Sequence, residues 1–362
     1  MPRSLSILSV CALVSSAFAQ FNTSYLHYYG SSTYPNVSRN STDGDRNYRA
    51  PEFPILGWAQ YKNNPIMGPS NNSWESKYLF NPAAAVVDDK VFLLYRAQNE
   101  SLISSIGLAW SYDGYNFTRY NQPVFFPTEP YERNGTEDPR LVRVNGTFYM
   151  TYTGFNGSQA QLCMATSENL VNWQKHGPIL PYSTDVLYHP EENYNHAREG
   201  WSKSGAIAPE KVNGLYQMQW GDSYLYTANS TDLIHWNYTR NDIPFAQRIH
   251  DWEFGLMESA GPLIKTRSGK HWIKFYNGVG QGFGGYKFGQ YSTGQMLVDL
   301  ENAPRGPPVA RMELPILQPV FTAGQVSNVL FSEATVQFKG KWFTYYGEGD
   351  AYLGTATAPV QD

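Results

Sequence analysis

Residues Gly135 to Arg140 place an acidic pair, a proline and an arginine directly before an apolar strand. They read Gly-Thr-Glu-Asp-Pro-Arg, and the chain continues as Leu-Val-Arg-Val to the turn Asn145-Gly146. Buried charge at the start of a strand is unfavourable unless that end opens onto a polar ligand or water. Glu137 and Asp138 are therefore the first candidates for a site, with a solvated turn and its charge pair as an equal alternative.

Four other segments follow the same plan, with a polar start, an apolar strand, a turn containing Gly or Asp, and an aromatic strand. Their polar starts are Asn81, Lys203 with Ser204, Glu258 and Glu333. Several carboxylates around one pocket, with a lysine and arginines nearby, would suit a glycosidase. In such an enzyme one acid protonates the leaving oxygen and one base activates water.

The elements that must position these residues are short strands separated by turn signals, and no segment has the length and period of a helix. The sequence therefore predicts an all-β protein. Five similar segments, several followed by a second hairpin, predict a five-bladed β-propeller over residues 51–362. The first strand of each blade would line the central channel, which would bring the five polar starts to one mouth.

Composition excludes some classes of partner. The formal net charge is -4 and there is no basic run, so nucleic acid is not an expected partner. Aromatic residues make up 15% of the chain and charged residues only 16%, a balance that suits sugar stacking but also suits a β core. The His residues show no metal-ligand spacing, so neither a metal nor a cofactor is predicted. The oligomeric state is not indicated.

The N-terminus predicts export. Residues 1–19 combine Arg3, an apolar stretch and Ala17-Phe18-Ala19, which is typical of a secretory signal peptide. A polar extension follows over residues 20–50, and no later stretch is apolar for long enough to span a bilayer. Sequons for N-glycosylation occur at Asn22, Asn36, Asn40, Asn71, Asn99, Asn116, Asn134, Asn145, Asn156, Asn229 and Asn237. The mature protein is thus predicted to be secreted, with Cys163 as a lone, buried and inert thiol.

With these residues identified, the chain resembles glycoside hydrolase family 130, the mannoside phosphorylases and β-mannosidases, from about Phe80 to Thr357. The family's members are five-bladed propellers, and the five-bladed furanosidases are the group most easily confused with them. The motifs that carry the resemblance keep the family's order and spacing: Phe80-Asn81-Pro82, Leu94-Tyr95-Arg96-Ala97, Ser111-Tyr112-Asp113-Gly114, Gly135 to Arg140, Pro209 to Gly214, Gly261 to Thr266, and Tyr345-Tyr346-Gly347 with Asp350.

The resemblance also implies roles. Asp138 matches a catalytic acid that delivers its proton through a hydroxyl of the bound mannose. Asn81, Arg96 and Asp350 match residues that hold the non-reducing mannose. Two alternatives remain open, because Arg96 could simply pair with a neighbouring carboxylate and Asp350 could be a turn residue. Arg140 is expected to orient the substrate or Glu137.

The chain departs from the phosphorolytic members where phosphate would bind. Those members carry a Lys just ahead of the Gly-Pro stretch and a His after the next aromatic strand. Here the first position is occupied by Glu258 and the second region reads Phe-Tyr-Asn277-Gly. A glutamate repels phosphate but suits activation of water, so Glu258 is predicted as the base, with Glu333 second. Lys203 and Arg198 keep some positive charge nearby, and Lys203 could equally pair with Glu258.

The sequence thus predicts a secreted, exo-acting hydrolase that removes terminal β-linked mannose from an oligosaccharide or glycan by a single inverting displacement. Three rivals remain. The first is a mannoside phosphorylase, and the second is a furanosidase-like hydrolase with Glu258 as the acid. The third is a catalytically silent sugar-binding propeller that keeps Asn81, Arg96 and Asp350.

Overall fold

The computed structural model describes residue 26 and residues 28–189, 194–238, 244–320 and 324–361. The predicted signal peptide lies outside these residues. The described chain is all-β, as predicted, with three 3₁₀ turns and no α-helix. No helix in the described ranges has the length and apolar character needed to cross a membrane. The strands are β1 (Gly30–Ser31), β2 (Ala59–Gln60), β3 (Tyr78–Val87), β4 (Lys90–Gln98), β5 (Ser104–Ser111), β6 (Thr118–Tyr120), β7 (Gly135–Val144), β8 (Thr147–Phe155), β9 (Ala160–Ser167), β10 (Gln174–Pro178), β11 (Thr184–His189), β12 (Tyr194–Glu199), β13 (Ala206–Ile207), β14 (Tyr216–Trp220), β15 (Tyr226–Ser230), β16 (Leu256–Ser259), β17 (Ile264–Lys265), β18 (Trp272–Val279), β19 (Tyr291–Val298), β20 (Ala310–Arg311), β21 (Leu330–Phe338), β22 (Lys341–Glu348) and β23 (Tyr352–Pro359).

Most strands fall into five antiparallel groups in chain order. Group A is β3 to β6, group B is β7 to β10, group C is β13 to β15, group D is β16 to β20, and group E is β21 to β23. Strand β2, from the other end of the chain, pairs with β23 and completes group E. A single parallel pairing between β5 and β7 connects groups A and B. We call the first strand of each group, β3, β7, β13, β16 or β21, its lead strand.

Tight turns join the lead strand to the second strand in four groups. Asn145-Gly146, Asn213-Gly214 and Lys339-Gly340 have positive φ at both residues, as does Asp88-Asp89. Two left-handed residues in succession match the twist of the flanking strands, and Asn, Asp and Gly adopt this backbone at least cost. These local signals explain why the hairpins could be located from the sequence.

Hydrophobic clusters link the five groups in the order A, B, C, D and E, and link E to A. Five of the clusters among the described residues each combine side chains from two groups, and aromatic and branched aliphatic residues dominate. Residues that share a cluster are Leu94 and Met150 for A and B, Met164 and Met218 for B and C, Ala206 and Met257 for C and D, Phe275 and Trp342 for D and E, and Phe343 and Leu93 for E and A. Burial of apolar surface between sheets is thus the main stabilising contribution. The clusters also connect the last group, E, to the first group, A.

A buried carboxylate supports the second strand in three groups. Each 3₁₀ turn, Ser73–Glu75, Pro130–Glu132 or Asp251–Glu253, ends in a glutamate that accepts a hydrogen bond from a tyrosine hydroxyl and pairs with a cation. The three sets are Glu75, Tyr95 and Arg119; Glu132, Tyr152 and Lys175; and Glu253, Tyr276 and Arg311. This repetition of whole side-chain networks supports the interpretation of the chain as structural repeats.

The described part of the polar extension crosses several groups. Asp43 forms a β-bridge with Val87 of group A, and Arg49 exchanges two backbone hydrogen bonds with the side chain of Gln337 in group E. The extension therefore lies against the ends of the lead strands that are remote from the predicted site residues.

Candidate active site

Three lead strands carry a β-bulge at predicted site residues. The register shifts between Phe80 and Pro82, between Glu137 and Arg140, and between Ser332 and Ala334. Within two of these bulges, Asn81 and Asp138 have φ values of 48° and 51°. Asn and Asp tolerate this left-handed backbone better than most residues, and a bulge changes the direction of a side chain. The bulges bring Asn81, Asp138 and Glu333 into one cluster between the lead strands.

Asp138 lies at the centre of the cluster and is 3% exposed. Its Oδ1 accepts a hydrogen bond of 2.8 Å from Arg96 Nη1, and its Oδ2 lies 2.9 Å from Lys203 Nζ. Arg96 also donates from Nη2 to Glu137 Oε1, at 2.6 Å. The alternative expected for Arg96, pairing with these carboxylates, is therefore present. Lys203 makes its ion pair with Asp138, and Glu258 interacts with its charge without forming an ion pair.

These cations determine the charge of Asp138. Burial alone would raise its pKa, but Lys203 and Arg96 outweigh burial and hold the pKa of Asp138 well below its usual range. Burial opposes the charge on Lys203 too, but Asp138 and Glu258 raise the pKa of Lys203 above its ordinary value. The residue that the resemblance assigns as the acid is thus ionised in the free protein at neutral pH.

Glu258 has a different environment. It lies in β16, is 7% exposed, and accepts a hydrogen bond from Ser204 Oγ. None of the ion pairs among the described residues includes Glu258. Burial raises the pKa of Glu258 to about 7, although the nearby Lys203 lowers it. Below this pH, Asp138 and Glu258 together hold one proton, and Glu258 carries it.

Glu333, the second candidate base, is fully buried. Its Oε1 accepts a hydrogen bond of 3.0 Å from Asn81 Nδ2 and lies 2.9 Å from Arg140 Nη2. Burial raises the pKa of Glu333 to about 8, although Arg140 lowers it. Arg140 is 2% exposed and also donates to two backbone oxygens at the end of β16. The donors of Arg140 thus hold Glu333 and join two lead strands, and none of its hydrogen bonds among the described residues goes to Glu137; its role in orienting the substrate stays a prediction.

Asp350 lies in the turn after β22 with a φ of 51°, so its alternative as a turn residue is also met. Burial raises the pKa of Asp350 to about 6, and Arg96 lowers it. Asp350 therefore interacts electrostatically with Arg96. The structure brings the predicted residues into one cluster, which contains Asn81, Arg96, Glu137, Asp138, Arg140, Lys203, Glu258, Glu333 and Asp350.

Three residues around the cluster were not predicted, namely Tyr291, Asp222 and Trp201. Tyr291 begins β19, and burial, followed by the charge of Glu258, raises the pKa of its hydroxyl. Asp222 follows β14 and accepts a hydrogen bond from the indole of Trp201. Their positions depend on the register between separate groups, and no local motif in the sequence marks that register.

A cavity of about 390 Å³ opens beside the cluster. Its lining combines charged, polar and apolar side chains: Arg96, Glu137 and Lys203; Gln98, Ser101 and Asn134; and Leu102, Phe155, Ala160 and Trp201. A second cavity, of about 430 Å³, lies at the other ends of the lead strands and is lined by apolar residues such as Val142, Leu263 and Trp342. It holds none of the predicted site residues, whereas three of them, Arg96, Glu137 and Lys203, line the first cavity.

The chain is similar to proteins that act on mannosides. Residues 47–362 match the model of glycoside hydrolase family 130, which is described as beta-1,4-mannooligosaccharide phosphorylase. A 1,2-beta-oligomannan phosphorylase of Thermoanaerobacter sp. (strain X514) is 32% identical over 317 residues, which is 82% of this chain and 96% of that protein.

Two solved structures have a similar fold over most of their length. A glycosyl hydrolase from Bacteroides ovatus is 31% identical, with a TM-score of 0.73 over 87% of this chain and 99% of that one. The other belongs to work on glycoside hydrolases, within the mannoside phosphorylase family, that target beta-1,2 mannosidic linkages in Candida mannan. It is 29% identical, with a TM-score of 0.73 over 86% of this chain and 98% of that one.

Proposed function

We propose that this chain, which belongs to glycoside hydrolase family 130, releases terminal β-linked mannose by hydrolysis. Membership of the family makes it a carbohydrate-active enzyme that acts on β-mannosides. One observation carries the choice of water over phosphate. Arg96, Lys203 and Arg140 are each paired with a carboxylate, whereas no ion pair among the described residues involves Glu258.

We also infer that the five strand groups are the blades of a five-bladed propeller. The cyclic order of the hydrophobic clusters supports this inference, because each group shares a cluster with the next and the last shares one with the first. The pairing of β2 with β23 supports it as well, since it ties the two ends of the described chain into one sheet. In such a ring the N-terminal ends of the lead strands share one mouth.

The proposed reaction is a single inverting displacement. Water attacks the anomeric carbon of the terminal mannose, Glu258 accepts a proton from that water, and the glycosidic C–O bond breaks. The leaving oxygen takes a proton that Asp138 supplies through a hydroxyl of the bound mannose. The mannose itself is held by Asn81, Arg96 and Asp350, as the family resemblance implies.

The one proton that Asp138 and Glu258 hold between them must move from Glu258 to Asp138 during this reaction. It sits on Glu258 in the free protein below about pH 7, whereas the chemistry needs it on Asp138. Lys203 makes the largest contribution to the low pKa of Asp138. A sugar hydroxyl that displaces Lys203 from Asp138 would therefore raise that pKa and favour transfer of the proton.

We propose a β-1,2 linkage for the substrate. The solved structure from work on hydrolases that target beta-1,2 linkages and the curated 1,2-beta-oligomannan phosphorylase both support it. The description of the matching family model supports a β-1,4 linkage as the second choice.

Phosphorolysis is the second candidate function. It is favoured by the name of the curated relative and by the description of the family model, both of which are phosphorylases. A phosphate ion would have to take Arg96 or Lys203 from Asp138 and would approach Glu258, whose ionised form repels it. These two descriptions thus point to phosphate, while the similar solved glycosyl hydrolase and the charges at the site point to water.

We further propose that the protein is exported. The signal-like residues 1–19 and the many sequons support export, and phosphorolysis has less value outside a cell, where a sugar phosphate is easily lost. Asn134 is exposed and lines the same cavity as Glu137, so a glycan there would crowd the site. We expect that sequon to remain unmodified or its glycan to point away, and mass spectrometry of the secreted protein would test both statements.

The function is tested by incubating the wild-type protein with β-1,2- and β-1,4-mannobiose, with and without inorganic phosphate. Hydrolysis predicts mannose as the sole product under both conditions, with faster cleavage of the β-1,2 disaccharide. Formation of mannose 1-phosphate only when phosphate is present would establish the second candidate instead. The variant Asp138→Asn serves as the inactive control.

A further inference from the structure

Trp201 forms part of the wall of the cavity beside the catalytic cluster. It follows β12 closely and precedes Lys203 by two residues, and Lys203 Nζ lies 2.9 Å from Asp138 Oδ2. The same cavity is lined by Arg96 and Glu137. An aromatic ring in this position lies close to the proposed point of cleavage.

The ring of Trp201 is held in a fixed orientation. Its Nε1–H donates a hydrogen bond of 3.1 Å to Asp222 Oδ2. The guanidinium of Arg198 lies 4.5 Å from the ring centroid and also pairs with Asp222. The backbone oxygen of Trp201 accepts a hydrogen bond from Ser183 Oγ. These contacts occupy one face and the polar edge of the indole, so little rotational freedom would be lost on binding a ligand.

Trp201 differs from the tryptophans that support the core. Trp252, Trp272 and Trp342 are at most 2% exposed and pack between sheets. Trp201 is partly exposed and belongs to none of the hydrophobic clusters among the described residues. A large aromatic side chain that is anchored by its edge and left open to a cavity is typical of a binding surface.

The rest of the cavity complements a sugar ring. Leu102, which is 46% exposed, and Phe155 add apolar surface that suits the C–H groups of a pyranose. Gln98, Ser101 and Asn134 add hydrogen-bonding groups that suit its hydroxyls. A lone apolar ligand would leave these polar groups unpaired, and a phosphate would make no use of the apolar wall.

We propose that Trp201 is the platform on which the second sugar of the substrate, the one next to the cleaved mannose, stacks. This assignment rests on the proposed function, because it requires a β-mannoside substrate with at least two sugars. In an exo-acting enzyme the first mannose occupies the enclosed centre, so every further sugar must lie on the open side. The cavity that Trp201 lines is adjacent to Arg96 and Lys203 on that side.

The test measures binding, because binding does not depend on whether water or phosphate is the co-substrate. Mannose and β-1,2-mannobiose are titrated calorimetrically against Asp138→Asn alone and against the double variants with Trp201→Ala and Trp201→Phe. We expect Trp201→Ala to weaken mannobiose binding by about tenfold, with a much smaller effect on mannose, and Trp201→Phe to restore most of the loss. Tyr112→Ala is the matched control, since Tyr112 is a 61% exposed aromatic outside the cavity.

An affinity of the Trp201→Ala variant for mannobiose within twofold of its parent would overturn the assignment. A second measurement covers poor folding of that variant. In fluorotryptophan-labelled Asp138→Asn protein, the resonance that Trp201→Phe removes should shift with mannobiose and not with mannose, and an unchanged resonance would also overturn it. If the Asp138→Asn parent binds neither β-1,2- nor β-1,4-mannobiose, the proposed function itself fails and this assignment falls with it.

Discussion

Asp138 and Glu258 are both buried carboxylates, yet their pKa values shift in opposite directions. Two cations that contact Asp138 favour its charged form, whereas Glu258 receives one neutral hydrogen bond from Ser204 and is dominated by burial. Environments that separate the pKa values of two neighbouring acids are characteristic of acid and base pairs in catalysis. The pair also fits the reversed roles, with Glu258 as the donor, so an experiment must separate the two assignments.

The dependence of activity on the leaving group separates the two assignments of acid and base. With mannobiose, Asp138→Asn should lower kcat/KM by about 10²- to 10⁴-fold, because the leaving sugar needs a proton. With 2,4-dinitrophenyl β-mannoside the same variant should lose far less, since that phenolate leaves without protonation. Glu258→Gln should lose activity on both substrates. The reverse pattern, with Glu258→Gln active on the aryl mannoside and Asp138→Asn inactive on it, would assign Glu258 as the acid.

The pH profile reports the shared proton. The transition state needs one proton on the pair, and the free protein holds one proton there below about pH 7, on Glu258. Because the raised pKa of Glu258 means that this proton is lost as the pH rises through about 7, kcat/KM should be level below that pH and fall above it. A kcat/KM that instead rises through pH 7 would show that the pair acts without a proton.

At the scale of the element, the bulged lead strands explain how the site is made. Asn81 and Asp138 each precede a proline and each adopt a left-handed backbone. Proline has no N–H, so a bulge at that point leaves no donor unpaired.

The sequence showed which segments are strands and that Asn145-Gly146 is a hairpin turn, because those features are local. The direction of Arg140 could not be predicted, since its partner Glu333 lies in another group.

Close approach between lead strands depends on Gly261. A Cβ at this position would lie 2.3 Å from the backbone oxygen of Glu333, and backbone cannot move aside cheaply. Gly261→Ala should therefore destabilise the fold by about 1–3 kcal/mol and lower kcat, because it displaces the strands that carry Glu258 and Glu333. Chemical denaturation and steady-state kinetics measure the two effects.

Gly340→Ala is the matched control, because Gly340 has a φ of 76° and a methyl group added there would have no atom within 4 Å. Its cost should be about 1–2 kcal/mol from backbone strain alone, with kcat unchanged. Equal kcat values for Gly261→Ala and Gly340→Ala would contradict the importance of this approach.

At the scale of the whole molecule, the five repeats identified in the sequence correspond to the lead and second strands of groups A to E. Repetition could be recognised because each segment keeps its own period and turn. Closure of the last sheet could not be predicted, because it joins residues about as far apart as Asn64 and Thr355. Pairing over such separations depends on the assembled fold and leaves no local pattern.

Asn64 links the two ends of the chain. Its amide donates to Tyr346 Oη at 2.7 Å and to the oxygen of Thr355 at 2.9 Å, and its Oδ1 accepts from the N–H of Thr355 at 3.0 Å. Asn64→Ala should lower the free energy of unfolding by about 2–3 kcal/mol, because it leaves buried groups unpaired. The exposed neighbour provides the control variant Asn63→Ala, and a thermal midpoint that both substitutions lower equally would contradict a special role for Asn64.

The central claim, that acids from separate strand groups direct a water molecule at the terminal mannose, is tested most directly by time-resolved NMR of β-1,2-mannobiose cleavage in phosphate-free buffer. We expect the mannose cut from the non-reducing end to appear as the α anomer, in excess of the equilibrium mixture that the leaving mannose contributes, and then to mutarotate, because water adds to the face opposite the bond that breaks. An initial excess of β-mannose, or no release until phosphate is added, would contradict the claim.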